Sequence, residues 1–147
     1  MNGNLTQYIE TSTLCVLTTM LADGMPYSST MHYAYDSKTS KFYFVADRND
    51  TKCQLILQDG TSKASLVIGF DVEVWSTLQM RGEVIALEGE PAEFIVKTLF
   101  KDFTGLKPLL DNDDRIILEF TPTWWKFTDQ ASASIYTSEN GEDNSTK

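Results

Sequence analysis

A short stretch of mixed charge, residues 47–52, has the residue types needed to bind an anion. It contains Arg48, Thr51 and Lys52 between the aromatic run "KFYFVA" and the apolar run "QLIL". A hydroxyl and two cations at the start of a helix can bind a phosphate, because the first N–H groups of a helix have no partner within it. The alternative is a solvated turn in which Asp50 caps the helix and Lys52 faces water. These residues alone leave both interpretations open.

The overall charge limits which anions the chain can bind. There are 21 acidic and 12 basic residues, a formal net charge of -9. Sequence-independent binding to nucleic acid depends on many Lys and Arg contacts to phosphates, so this balance excludes it. We therefore expect any bound anion to be small and held locally.

Other reactive side chains are few. His32 is the only histidine, and neither a Ser-His-Asp arrangement nor a pair of catalytic carboxylates is indicated. Cys15 and Cys53 lie in apolar segments without metal or redox spacing, which predicts two buried free thiols and no metal site. No catalytic acid, base or nucleophile therefore stands out in the sequence.

The chain is predicted to form one domain, residues 1–130, followed by a polar, flexible tail, residues 131–147. Its 147 residues are 41% hydrophobic, which suits a single core. No basic region followed by an apolar core opens the sequence, and no run of about 18 apolar residues occurs. We expect a soluble cytoplasmic protein that binds neither membranes nor nucleic acid.

The hydrophobic patterns predict a mainly β fold with short helices. Asp23-Gly24 marks a hairpin turn, Gly82 marks a bulge or bend in a long strand, and Pro91 suits the first turn of a helix. Six or seven antiparallel strands and two or three helices in this order favour a small β-barrel. The predicted helices cover residues 5–12, 51–60 and 90–103, and the predicted strands cover a hairpin at 13–36, then 41–46, 63–70, 77–89, 113–122 and 124–129.

The order of the motifs "SSTMHYAYD", "FVADRNDTK", "LQMRGEV" and "LEFTPTWWKF" resembles that of the pyridoxamine 5'-phosphate oxidase-like proteins, including their small general stress protein-like members. The resemblance covers residues 5 to about 129. It implies an FMN-binding split β-barrel and a homodimer with FMN at the subunit interface.

The resemblance also implies which residues contact the flavin. The segment "SSTMH" would line the ring and ribityl chain, and "DRNDTK" would hold the phosphate, with Lys52 at the position that the family most often uses. Gln79 would present a polar side chain to the flavin from the neighbouring subunit. The implied cofactor-binding residues are Ser29, Thr30, Met31, His32, Arg48, Thr51, Lys52 and Gln79.

Tryptophans could stack on a planar cofactor. Strand alternation sends Trp124 and Trp125 to opposite faces, so at most one of them enters the core. We assign Trp125 as a candidate cofactor contact, with packing in the core or at an interface as the alternative.

The family resemblance implies a flavoprotein that passes electrons or hydride between a reduced nicotinamide and a small acceptor. Two departures matter: Asp47 and Asp50 flank the phosphate position, and the arginines that bind pyridoxamine phosphate are missing. We therefore do not expect activity on pyridoxamine phosphate. The alternatives are a non-catalytic flavin- or haem-binding stress module, with His32 as the one imidazole, and a monomeric barrel that holds an apolar ligand.

Overall fold

The computed structural model describes residues 3–70, 73, 75–130 and 132–139. It confirms the mainly β fold class. Eight strands in the described residues are connected by turns and short helices. The helices are α1 (Gly3–Thr11), α2 (Gln54–Asp59), α3 (Glu90–Leu99) and α4 (Lys107–Leu110), with 3₁₀ turns at Thr51–Cys53 and Thr104–Leu106. The strands are β1 (Leu14–Met20), β2 (Pro26–His32), β3 (Ala34–Asp36), β4 (Lys41–Asp47), β5 (Thr61–Ile68), β6 (Thr77–Leu87), β7 (Arg115–Asp129) and β8 (Ser134–Thr137).

The sheet is antiparallel and curls on itself. Its strand order is β2-β1-β5-β6-β7-β4-β3, and β8 pairs with β7. The strands at the two ends of this order, β2 and β3, are separated along the chain by Tyr33 alone. The two ends of the sheet must therefore lie side by side, which produces the split barrel. Tyr33 fixes this corner, because its backbone N–H donates to the Thr13 carbonyl (3.0 Å) and its hydroxyl to the Ile9 carbonyl (2.6 Å).

The core fills the inside of the curl. Alternate residues of the strands point inward, among them Leu17, Phe44, Leu66 and Phe120, each fully buried. Helix α1 contributes Leu5 and Ile9 to this core, as its predicted i, i+4 spacing required. A second apolar cluster lies on the other side of β4, under α3 and α4, and contains Tyr43, Val45, Ala92, Ile95, Phe100 and Ile117.

Gly82 lies at the predicted irregularity. The pairing of β6 with β7 shifts between Arg81 and Gly82, so that Gly82 faces Pro122, Arg81 faces Trp124, and Thr123 is an extra residue. A Cβ on Gly82 would lie 2.1 Å from the Thr121 carbonyl oxygen, closer than atoms can approach. Only glycine fits where the two backbones meet.

Three predicted boundaries were wrong. The segments on either side of Pro122 form one strand, β7, because the bulge accommodates the proline without ending the ladder. The second strand of the predicted hairpin is divided at Tyr33 into β2 and β3. Part of the expected tail forms β8, which pairs with the end of β7; residues 131 and 140–147 lie outside the described residues.

Both cysteines are free and buried, as predicted. In the described residues, no group of His, Cys, Asp and Glu is arranged to hold a metal ion. None of the helices in the described part of the chain has the length and apolar character needed to cross a membrane.

Candidate functional site

Strand β2 is the first element of the candidate site. It lies at one end of the sheet, and among the described strands it pairs only with β1. The register places Ser29 opposite Leu17 and Tyr27 opposite Thr19, so Tyr27, Ser29 and Met31 share the face that turns towards the core. The Ser29 hydroxyl oxygen is buried and has no hydrogen-bond partner among the described residues. Buried polar atoms are seldom left unpaired in proteins, so this atom marks a place where a ligand can bind.

The turn from β4 into the 3₁₀ segment is the second element. The Asp50 N–H donates to the Asp47 carbonyl (2.9 Å), and the Cys53 N–H donates to the Asp50 carbonyl (3.0 Å). The Asp47 carboxylate accepts from the Asn49 N–H (2.8 Å) and from the Asn112 side-chain amide (2.7 Å). These bonds stabilise the charged carboxylate and lower the pKa of Asp47. Asp47 is therefore committed to holding the turn.

Lys52 is fixed at this turn through both its backbone and its side chain. Its carbonyl accepts a hydrogen bond from the hydroxyl of Thr19 on β1 (2.9 Å). Its side chain is only 13% exposed, and its ammonium donates to Asp50 Oδ2 at 3.1 Å. Because Thr19 faces Tyr27 on β2, this bond connects the turn to the strand that carries Ser29. Lys52 and Ser29 thus belong to one side of the barrel.

The other predicted residues of the turn are oriented differently. Arg48 forms an ion pair with Glu88, which follows β6, and its backbone N–H donates to the Asp114 carbonyl (2.9 Å). Asp50 makes no side-chain capping bond to the helix, and Thr51 is exposed. The structure therefore holds Arg48 and Lys52 with separate acidic partners.

Thr30 and Gln79 lie on the opposite, outer face of the sheet. Thr30 alternates with Ser29 and faces Val16, and Gln79 is exposed on β6 between Val67 and Lys126. His32 is exposed at the end of β2. Met31 is half-buried and packs against the core.

The two neighbouring tryptophans occupy opposite faces, as alternation predicted. Trp125 faces Met80 and packs against the core. Trp124 lies on the outer face, where the Arg81 guanidinium stacks over its ring at 4.4 Å. Of these two tryptophans, Trp124 is therefore the one that the outer face presents to a partner or ligand.

An outer groove of about 520 Å³ surrounds this pair. Of its residues, only Gly82 and Trp124 stand out in the sequence, although the period-2 pattern of β1, β5 and β6 already placed the other side chains on one face. The groove is lined by Thr18, Met20, Pro26, Lys63, Ala64, Ser65, Arg81, Gly82, Glu83, Thr123 and Trp124.

Comparison with solved structures shows which proteins share this fold. A protein from Clostridium acetobutylicum, related to general stress protein 26 of B. subtilis, superimposes with a TM-score of 0.68 and 19% identity, over 91% of this chain and 90% of its own. A pyridoxamine 5'-phosphate oxidase-related, FMN-binding protein from Nostoc punctiforme gives 0.67 and 12%, over 97% and 93%. A haem-binding protein from Mycobacterium smegmatis gives 0.71 and 11%, over 89% and 54%. At these identities the likeness shows the fold alone.

Comparison of the sequence itself identifies the family. No curated protein gives a significant match. Residues 1–129, nearly the whole of the described chain, match the family described as Pyridoxamine 5'-phosphate oxidase. The chain therefore belongs to the pyridoxamine 5'-phosphate oxidase family.

Proposed function

We propose that the chain binds FMN along β2, with the phosphate at Lys52, and acts as a flavin-dependent oxidoreductase. One observation carries the proposal: the unpaired, buried hydroxyl of Ser29 lies on β2, which pairs with β1, and Thr19 of β1 bonds to Lys52. A ligand with a polar ring and an anionic end would satisfy both groups. FMN is such a ligand, and one structural relative is described as FMN-binding.

The residues present fit this cofactor. Because β2 has one strand neighbour in the described part of the chain, backbone groups along its other edge are available to hydrogen-bond a ring. Ser29 would contribute its hydroxyl, and Met31 an apolar surface. The Lys52 ammonium has three donors, and only one of them is directed at Asp50, so two remain for a phosphate.

The chemistry that a bound flavin supplies is transfer of electrons or hydride, here between a reduced nicotinamide and a small acceptor. The chain's own residues bind and orient. Lys52 would neutralise the phosphate, and Ser29 would hold the polar edge of the ring. The sheet would exclude water from the inner side of the ring, since Leu17 and Thr19 on β1, beside β2, are fully buried.

We also propose that two chains associate through the outer face of the sheet. The groove at Arg81 and Trp124 is apolar over most of its surface, and such exposed surfaces mark interaction sites. This arrangement would bring Gln79 of one chain towards its partner. A second copy is consistent with the flavin-at-interface arrangement that the family resemblance implies.

Haem binding is the second candidate function. Two observations favour it: His32 is exposed at the end of β2, where an imidazole can reach a ligand, and one structural relative is described as haem-binding. In this case the chain would act as a binding module without turnover. His32 would be the iron ligand, and Lys52 would have no part in binding.

The first experiment is purification followed by absorption spectroscopy and titration with FMN and with haemin. FMN binding predicts a yellow protein that releases FMN on denaturation, and haem binding predicts a Soret band instead. Lys52→Ala should weaken FMN binding at least about tenfold, because one charge-assisted bond is lost. Lys101→Ala, which removes an exposed lysine elsewhere, is the control and should leave the FMN affinity unchanged.

The second experiment separates an enzyme from a carrier. The FMN-loaded protein is mixed with a reduced nicotinamide under anaerobic conditions, and bleaching of the flavin band is followed. Bleaching supports the oxidoreductase, whereas an unchanged flavin spectrum supports a binding module. A protein that binds neither FMN nor haemin contradicts both candidate functions.

A further inference from the structure

The turn that would receive the phosphate is not basic once its contacts are counted. Residues 47–52 contain two acids and two bases, and the bonded neighbours Glu88 and Asp114 make four acids to two bases. Each cation already has a carboxylate partner: Arg48 has Glu88, and Lys52 has Asp50. A phosphate therefore meets a site whose positive charges are balanced before it arrives.

Asp50 is the residue that a phosphate would have to displace. Its Oδ2 atom accepts from the Lys52 ammonium and from the Asp47 N–H, both at 3.1 Å. Its side chain is 38% exposed, while the Lys52 side chain is 13% exposed. The Asp50 side chain is thus more exposed than the Lys52 side chain to which it bonds, and an anion that reaches Lys52 also lies close to this carboxylate.

The ion pair is fixed by its surroundings. The Thr19 bond holds the backbone of Lys52, and the bonds of the turn hold Asp50. Asp50 cannot leave Lys52 by a change of its own rotamer without also losing the bond from the Asp47 N–H. Asp50 also does not serve the usual role of an aspartate before a helix, since it makes no side-chain capping bond.

We propose that Asp50 sets the ligand specificity of the Lys52 site, by an ion pair that removes most of the advantage of a phosphorylated flavin over the same flavin without its phosphate. This inference rests on the proposed function. A phosphate next to Lys52 gains the attraction of the ammonium and meets the repulsion of the Asp50 carboxylate, which lies 3.1 Å from that ammonium, and the repulsion offsets most of the attraction. The uncharged ribityl hydroxyls of riboflavin experience neither this attraction nor this repulsion. The ligands of this site are therefore flavins bound through ring and ribityl chain, with FMN and riboflavin bound comparably.

The test measures the dissociation constants of FMN and riboflavin, by quenching of flavin fluorescence, for wild type and for Asp50→Asn. Asparagine keeps one oxygen that can accept from the Asp47 N–H, while the charge is removed and the other oxygen is replaced by an amide NH2. Asp36→Asn is the matched control, because Asp36 also accepts two bonds in a turn, from the Lys38 N–H and the Thr39 hydroxyl.

We expect wild type to bind FMN less than about tenfold more tightly than riboflavin. Asp50→Asn should raise that preference about tenfold or more, through tighter FMN binding, and added salt should reduce the gain. Asp36→Asn should leave the preference unchanged. Circular dichroism of each variant checks that the fold is retained.

Two outcomes overturn the inference in distinguishable ways. If both flavins bind and Asp50→Asn does not change the preference for FMN, Asp50 only holds the turn and the inference alone is wrong. If neither flavin binds to wild type or to either variant, the proposed function is wrong and the inference with it.

Discussion

The hydroxyl of Thr19 donates a 2.9 Å hydrogen bond to the backbone carbonyl of Lys52, 33 residues further along the chain. Thr19 is fully buried on the inner face of β1. The bond joins the hairpin of β1 and β2 to the turn after β4, and so joins the two halves of the candidate site. The position of Lys52 therefore depends on a residue that cannot itself touch a ligand from solvent.

Replacing Thr19 with valine tests this dependence. Thr19→Val leaves the Lys52 carbonyl without its donor, which should lower the free energy of unfolding by about 1–3 kcal/mol. FMN affinity should fall too, because Lys52 is no longer held. Urea denaturation and flavin titration measure the two effects. Thr18→Val is the control: its hydroxyl bonds to Ser28 at the surface, so a change within about 0.5 kcal/mol is expected.

Gly82→Ala tests the bulge. The added methyl group would lie 2.1 Å from the Thr121 carbonyl oxygen and 2.9 Å from Pro122 Cα, both backbone atoms of β7. The strands must move apart, which should cost about 1–3 kcal/mol and appear as a lower midpoint in thermal unfolding. Gly105→Ala adds the same group where no atom lies within 4 Å. Equal losses for the two variants would contradict the steric argument.

Alkaline pH should destabilise the fold through its buried thiols. Burial raises the pKa of Cys15 to about 12 and that of Cys53 to about 11, from an ordinary value of 9.0. The stability that these protonated thiols contribute is fully present below about pH 9. It is lost as the pH rises through the pKa values of the thiols in the folded state. Urea midpoints measured between about pH 7.5 and about pH 10 should therefore fall above about pH 9.

A Cys15→Ala/Cys53→Ala variant checks the origin of that loss. Its urea midpoint should be lower at every pH but should depend less on pH over the same range. Burial raises the pKa of Tyr43 from 10.0 to about 12. Its ionisation therefore contributes to the loss of stability above the pH range measured. A pH dependence that the double variant retains in full would assign the effect to other groups.

Charge reversal on the outer face tests the proposed dimer. Arg81→Glu removes the cation stacked on Trp124 and adds a second carboxylate beside Glu83 in the groove. Like charges brought together in an interface are costly, so the dimer should dissociate at least about tenfold more readily. Analytical ultracentrifugation measures this. Lys38→Glu, the same kind of reversal in the β3–β4 turn, should leave the mass unchanged.

The fold could be predicted where the information was local. The β1–β2 hairpin followed from alternation around Asp23-Gly24, and the irregularity followed from Gly82, because each depends on neighbouring residues. The break at Tyr33 could not be predicted, since nothing nearby interrupts the alternation. The break arises from the closure of the sheet, which pairs the residues on either side of Tyr33 with different strands.

The residues of the candidate site could be predicted from the sequence, but their ion-pair partners could not. Sequence placed Arg48 and Lys52 together, and the structure gives each a separate carboxylate. Glu88, the partner of Arg48, lies 40 residues away, and only the pairing of β6, β7 and β4 brings it near. Which tryptophan faces outward was beyond prediction for a similar reason: alternation separates Trp124 from Trp125, but it does not say which of them is inside.

Thr123 decides that question by its presence alone. Before it, even-numbered residues such as Phe120 point inward; after it, odd-numbered residues such as Phe127 do. A regular ladder running through Thr123 without a bulge would continue the even-numbered pattern and turn Trp124 inward and Trp125 outward. The single-residue bulge thus decides which side chains in the rest of the strand belong to the interior, with every amino acid unaltered.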